Sequence, residues 1–73
     1  MTYTLFRHHR RSDLYCAIPQ DRPVPTFVRA PEWDYAGTTT PDRPRPDGFD
    51  EDVARFACEF QGYYTYRTQF MLE

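Results

Sequence analysis

The sequence predicts a small α+β domain: a mainly antiparallel sheet of four or five strands with one helix packed on a face, in the order β-β-β-β-α-β. Three observations carry this expectation. Short runs rich in β-branched and aromatic residues alternate with proline-bearing breaks, and a single segment has helical periodicity. Apolar residues make up 40% of the 73 positions and aromatics 18%, enough large rings for a small core. A disordered chain would be poorer in aromatics, so the chain reads as one folded domain, residues 1–73.

The elements follow in order. "TYTLFRHH", residues 2–9, and "DLYCAI", residues 13–18, read as two strands joined by a short polar turn, hence an antiparallel hairpin. "TFVRA", residues 26–30, is a short third strand. "EWDYAGT", residues 32–38, alternates, with Trp33 and Tyr35 pointing one way and Glu32, Asp34 and Ala36 the other. In "DGFDEDVARFACEFQG", Val53, Phe56, Ala57 and Phe60 make one apolar stripe at helical spacing. Asp50 is the N-cap, Glu51 and Asp52 face the positive end of the helix dipole, Phe49 is placed as a staple on Ala54, and Gly62 is the stop. "YYTYRTQFML" closes the chain as a long strand well inside the sheet, with Tyr64, Tyr66, Phe70 and Leu72 on one face and Tyr63, Thr65, Arg67 and Gln69 on the other.

The expected core draws on Leu5 or Phe6, Leu14, Cys16, Ile18, Phe27, Trp33, Tyr35, Val53, Phe56, Phe60, Tyr64, Tyr66 and Phe70. The buried face of the first strand stays open, because Tyr3 and Leu5 oppose Phe6. Two proline segments, residues 19–25 and 41–46, share the pattern Asp-Arg-Pro-x-Pro. Proline lacks an amide donor, so both read as stiff loops rather than central strands, and nothing flanking them supports a duplication.

All nine basic residues are arginine, which reads as codon usage rather than function. The net charge of −2 is unevenly distributed: residues 1–30 hold five arginines against Asp13 and Asp21, residues 31–73 four against nine acids. That balance argues against general duplex binding, which draws on many phosphate contacts. No apolar run approaches transmembrane length, and "MTYTLFRHHRR" lacks the pattern of a signal peptide. The expectation is a protein of the bacterial cytoplasm, with Cys16 and Cys58 reduced and no membrane contact.

Catalytic and cofactor chemistries find little here. His8, His9, Cys16 and Cys58 lack the close ligand pairs by which small domains hold zinc, and adjacent strand residues point to opposite faces. Cys16 alternates with Leu14 and Ile18 as a small core residue; a dyad with His8 is within geometric reach, but nothing orients the imidazole. Asp47, Asp50, Glu51 and Asp52 lack calcium-loop spacing, and Gly37, Gly48 and Gly62 form no phosphate loop. The expectation is no enzyme, no metal and no cofactor.

"RHHRR", residues 7–11, is the densest charge in the chain and falls on the hairpin turn, where charged residues are ordinarily solvated. Its functional reading is a grip on a carboxylate-rich partner through arginine forks. The candidate partner-binding residues are the basic tip Arg7, His9, Arg10 and Arg11, an acidic rim of Glu32, Asp34, Asp42, Asp47, Asp50 and Asp52, and an exposed Tyr63. The leading class is a non-enzymatic protein-interaction module. The alternative is a small nucleic-acid-binding or regulatory module in which tyrosine beside arginine offers a stacking platform.

In size, acidity and lack of catalytic motifs the chain resembles the anti-CRISPR proteins, small phage-encoded inhibitors of bacterial defence. The resemblance implies a bacterial protein partner such as a Cas effector subunit. Acids of the second half would imitate phosphates, or the arginine tip would dock on the subunit. The basic cluster departs from a pure nucleic-acid mimic. A strand at a sheet edge leaves both monomer and homodimer open.

Overall fold

A computed structural model describes residues 1–68. Four strands and one helix are present: β1 (Tyr3–His8), β2 (Leu14–Pro19), β3 (Trp33–Thr39), α1 (Glu51–Gln61) and β4 (Tyr64–Arg67). They form an antiparallel sheet in the order β3-β1-β2-β4 with the helix on one face, the α+β architecture expected. β1 and β2 form the hairpin, with Phe6 opposite Cys16 and Arg7 opposite Tyr15. β3 pairs with β1 through a bulge near Gly37, between the Leu5 and Phe6 positions.

Register resolves the ambiguity of the first strand, because both sheet faces are covered. Tyr3 and Leu5 face α1 with Ala17, Tyr64 and Tyr66. Phe6 faces the other way and packs on Cys16, Ile18, Val28 and Trp33. That second cluster contains Val28, which the segment 20–32 lays over the sheet. Thr26–Ala30 is therefore a turn rather than a strand. Val28 N donates to the Pro25 carbonyl at 3.0 Å, and the amides of Glu32 and Trp33 donate to the Arg29 carbonyl at 3.1 Å. Prolines 25 and 31 bound the segment and deny it the unbroken amide row of a strand.

The last strand also departs from expectation. Among the described residues it runs only from Tyr64 to Arg67 and pairs with β2 alone, so it lies at the sheet edge. Phe70 and Leu72, expected on its inner face, lie outside the described residues. Gly48 closes over the strand's end with φ +82°, and a Cβ there would meet the Arg67 carbonyl oxygen at 2.1 Å. Glycine is required at that position on both counts.

The helix ends behave as its sequence demands. Asp50 Oδ1 accepts from the amides of Asp52 and Val53 at 3.1 Å, and Gly62, with φ +90°, donates its amide to Cys58 O at 2.9 Å. Its orientation is the main correction. The helix meets the sheet through Ala54 and Cys58, while Val53, Phe56 and Phe60 are 50%, 71% and 81% exposed. The reason is volume. Tyr3, Tyr64 and Tyr66 rise from the sheet and Phe49 wedges among them, with ring centroids 5.2–5.3 Å apart. Rings fill the interlayer, so only small helix residues fit against them. Tyr35, also expected in the core, is 68% exposed at the sheet margin with Phe6 against its ring, and Phe27 is 41% exposed.

Arg45, from the second proline segment, ties these parts together. Its Nε and Nη2 donate to the two Glu51 carboxylate oxygens at 2.6 and 2.9 Å, and its Nη1 and Nη2 reach Thr39 Oγ1 and the Met1 carbonyl at 3.2 and 3.1 Å. The guanidinium lies over the rings of Tyr3 and Phe49 at 5.3 and 5.2 Å. Hydrogen bonding to Arg45 holds the Glu51 carboxyl below its ordinary value of 4.5. Burial pushes the Tyr3 and Tyr66 hydroxyls above their ordinary value of 10.0, and neither hydroxyl has a hydrogen-bond partner among the described residues.

A depressed carboxyl stabilises the fold above the unfolded glutamate value and loses that contribution as pH falls through the folded one. Because solvent screens the part-exposed Glu51 carboxylate, Arg45→Met should cost about 1 kcal/mol at neutral pH in urea unfolding, and should flatten the loss of stability below the ordinary carboxylate range. The raised tyrosines work at the opposite end, their contribution complete below pH 10.0 and lost as pH rises through the folded values. Tyr66→Phe removes an unpaired buried hydroxyl. It should leave neutral-pH stability unchanged or raise it by up to about 1 kcal/mol, while moving alkaline unfolding to higher pH.

Candidate interaction surface

The basic stretch forms a fixed turn. β1 ends at His8, whose Nδ1 accepts from the amides of Arg10 and Arg11, both at 3.2 Å. The imidazole is itself held edge-on to Trp33, with centroids 5.0 Å apart at 81°. An acceptor Nδ1 places the ring proton of the neutral form on Nε2. His9 serves the neighbouring strand: its amide donates to the Glu32 carbonyl at 2.7 Å and its Nδ1 to Asp34 Oδ2 at 3.1 Å. At the base of the turn, Arg67 pairs with Asp13 at 3.3 Å and the Thr68 amide donates to the Asp13 carbonyl at 2.9 Å.

Six of the residues singled out in the sequence therefore share one end of the sheet. Arg7 lies opposite Asp34 in the β1–β3 register, Arg10 and Arg11 project from the turn, and His9, Glu32 and Asp34 complete the cluster. A cleft of about 490 Å³ opens beside it, lined by His8, His9, Arg10, Pro31 and Glu32. Arg7, Arg10 and Arg11 are exposed and make no ion pair among the described residues, whereas the His9 ring is hydrogen-bonded to Asp34.

The remaining acids do not continue this surface. Asp42 accepts a hydrogen bond from Thr40 Oγ1, Asp47 is exposed in the loop before α1, Asp50 caps the helix and Asp52 pairs with Arg55 at 3.0 Å. Asp42 follows the Thr39 end of β3, whereas Asp47 adjoins Gly48, which packs on Arg67 near the base of the turn, and Asp50 and Asp52 stand at the start of α1, away from Glu32 and Asp34 at the Trp33 end of β3. The acidic rim is thus not one continuous surface. Tyr63 is not an exposed handle either. It is half-buried, with its ring 5.0 Å from that of Phe27, against the second core cluster.

The cysteines are packing residues. Cys16 is fully buried and its thiol is pushed up to about 12 by desolvation, so no thiolate is present near neutrality. His8, its conceivable partner, already uses Nδ1 to hold the turn. Burial also raises the Cys58 thiol. Among the described residues, no three His, Cys, Asp or Glu side chains converge as metal ligands would, and no helix is long and apolar enough to cross a membrane.

Sequence reasoning missed one surface, the outward face of α1. A signal for it exists: besides Val53, Phe56 and Phe60, the helix carries Ala54, Ala57 and Cys58, so apolar residues occur on more than one stripe. Which stripe faces inward depends on the rings it meets.

His8→Ala should free the turn. Exchange of the Arg10 and Arg11 amides should accelerate by about tenfold or more, while those of the β1–β2 ladder stay protected, as read by hydrogen-exchange NMR. Comparison with known proteins gives no match for this chain: no family model, no curated protein and no solved structure.

Proposed function

We propose that this chain is a non-enzymatic protein-interaction module of the bacterial cytoplasm whose arginine hairpin tip docks on a carboxylate-rich surface of a partner. The observation that carries this reading is the contrast within the tip. His8, His9, Asp34 and Trp33 hold the turn in one conformation, while Arg7, Arg10 and Arg11 extend from it without carboxylate partners among the described residues. A guanidinium on a fixed backbone gives up little conformational freedom on binding, and its fork matches a carboxylate. Three arginines beside Glu32 and Asp34, on a chain of net charge −2, offer too few phosphate contacts for general duplex binding, and the fork geometry suits individual carboxylates. Both features favour a protein over a nucleic acid.

In its most concrete form the partner is a Cas effector subunit, and binding blocks nucleic-acid engagement. What supports this form is the size, acidity and absence of catalytic motifs shared with anti-CRISPR inhibitors. With the acids forming no single surface and several of them already capping or paired, the arginine tip is the stronger contact, and the Asp42–Asp52 group is secondary.

The test is affinity capture with the tagged full chain from lysate of a bacterium with an active CRISPR system, with nuclease-treated samples in parallel. The expected result is one Cas subunit retained in stoichiometric amount after nuclease treatment. Retention should fall about tenfold or more for Arg7→Ala/Arg10→Ala/Arg11→Ala. Capture of nucleic acid alone, lost on adding salt, would overturn the proposal in favour of a phosphate grip.

A further inference from the structure

The outward face of α1 has a chemistry of its own. Val53, Phe56 and Phe60 occupy successive turns and are at least half exposed, with the Phe56 and Phe60 rings stacked in parallel, 6.3 Å apart at 3°. Two large rings held side by side on a rigid helix form an apolar ridge, which a solvated surface does not need. The charges beside this ridge show what fits it. At 100° per residue, Asp52, Arg55 and Glu59 fall along one flank and none falls on the other, where Ala57 leads back to the sheet. Arg55 makes only an exposed pair with Asp52, and Glu59 makes no ion pair among the described residues.

We infer that this ridge is the contact surface of a symmetric homodimer, in which α1 packs antiparallel on α1 of a second copy. A two-fold axis perpendicular to both helices, at the level of Ala57, keeps the charged flank of both copies on the same side and reverses its order. Arg55 of each copy then stands level with Glu59 of the other, twice over, and the Phe56–Phe60 ridges meet between them. Asp52 comes level with the partner's helix C-terminus. There Arg22 waits, its Nη1 3.8 Å from where a Cβ on Gly62 would lie, and the antiparallel dipoles add to the attraction. One flank therefore satisfies itself through a single rotation, which is the property of an isologous interface. A parallel two-fold arrangement would instead set each charged flank against the partner's uncharged Ala57 side and leave the charges unpaired. The inference does not depend on the arginine tip, which the dimer leaves uncovered at the end of each sheet.

The test is sedimentation equilibrium of the full chain across a concentration series. The expected result is a mass rising from 8.8 kDa toward twice that value. Phe60→Asp should abolish the rise with an unchanged circular dichroism spectrum. Arg55→Glu and Glu59→Arg should each weaken self-association about tenfold or more, since each opposes like charges twice. A mixture of those two single variants should associate again, because the heterodimer restores both pairs, and the double variant should recover as well. A mass of 8.8 kDa at every concentration overturns the inference, whether the ridge is then covered by another segment of this chain or by a different protein. A dimer indifferent to Phe60→Asp and to charge reversal also overturns it, because a different face, such as the open edge of β3, would then be in use. None of these variants touches the tip, so partner capture is scored separately.

Discussion

Arg45 is the contact on which the arrangement of this domain turns. A single guanidinium joins the start of β1 through Met1, the end of β3 through Thr39, and the first turn of α1 through Glu51, while lying on the rings of Tyr3 and Phe49. Those groups are distant in sequence, and no other described side chain reaches all of them. Lysine would supply the charge without the planar fork or the flat face that stacks on aromatic rings. Pro44 and Pro46 flank Arg45 and restrict its backbone, so the side chain leaves the loop in a direction largely set before the contact forms. The second proline segment is thus the carrier of a clamp. The turn that follows the first, Thr26–Ala30, covers the opposite sheet face with Val28.

Once the clamp sets the entry of the helix, the aromatic layer beneath decides its rotation. Tyr3, Tyr64, Tyr66 and Phe49 occupy the space between sheet and helix, and Tyr64 Oη takes the Asp50 amide at 3.1 Å beside the cap. Ala54 and Cys58 fit over rings of that size, and phenylalanines do not. The cost is apolar surface left in water at Phe56 and Phe60, and that surface is where a second copy finds its place. In a chain this short, one layer of large rings both builds the core and exports the residues that the helix cannot bury.

The two functional surfaces have different physical characters. The hairpin tip is a charged point with a fixed backbone, suited to gripping acidic groups at close range with guanidinium forks. The helix ridge is apolar with a polar flank, suited to a tight and symmetric contact. A dimer through the ridge presents two tips, so that weak single contacts act together on a partner with repeated or paired acidic sites. The tip was legible in the sequence because its five residues are contiguous and fall on a turn. Its pairing with Glu32 and Asp34 was not, since that depends on β3 lying beside β1, 25 residues away for His9 and Asp34.

What the sequence determined by itself was local. The hairpin follows from alternation around a polar turn, the helix from its periodicity and from Asp50 and Gly62 at its ends, and the loops from proline. Each of these depends on residues within a few positions of one another. The tertiary structure alone decided which strand lies at the edge, which face of α1 is buried and which arginine is the clamp. Helical spacing marks Val53, Phe56 and Phe60 as a stripe, but a stripe does not say what stands opposite it. Burial is a property of two surfaces, and the second surface is the tyrosine layer that only folding brings beneath the helix.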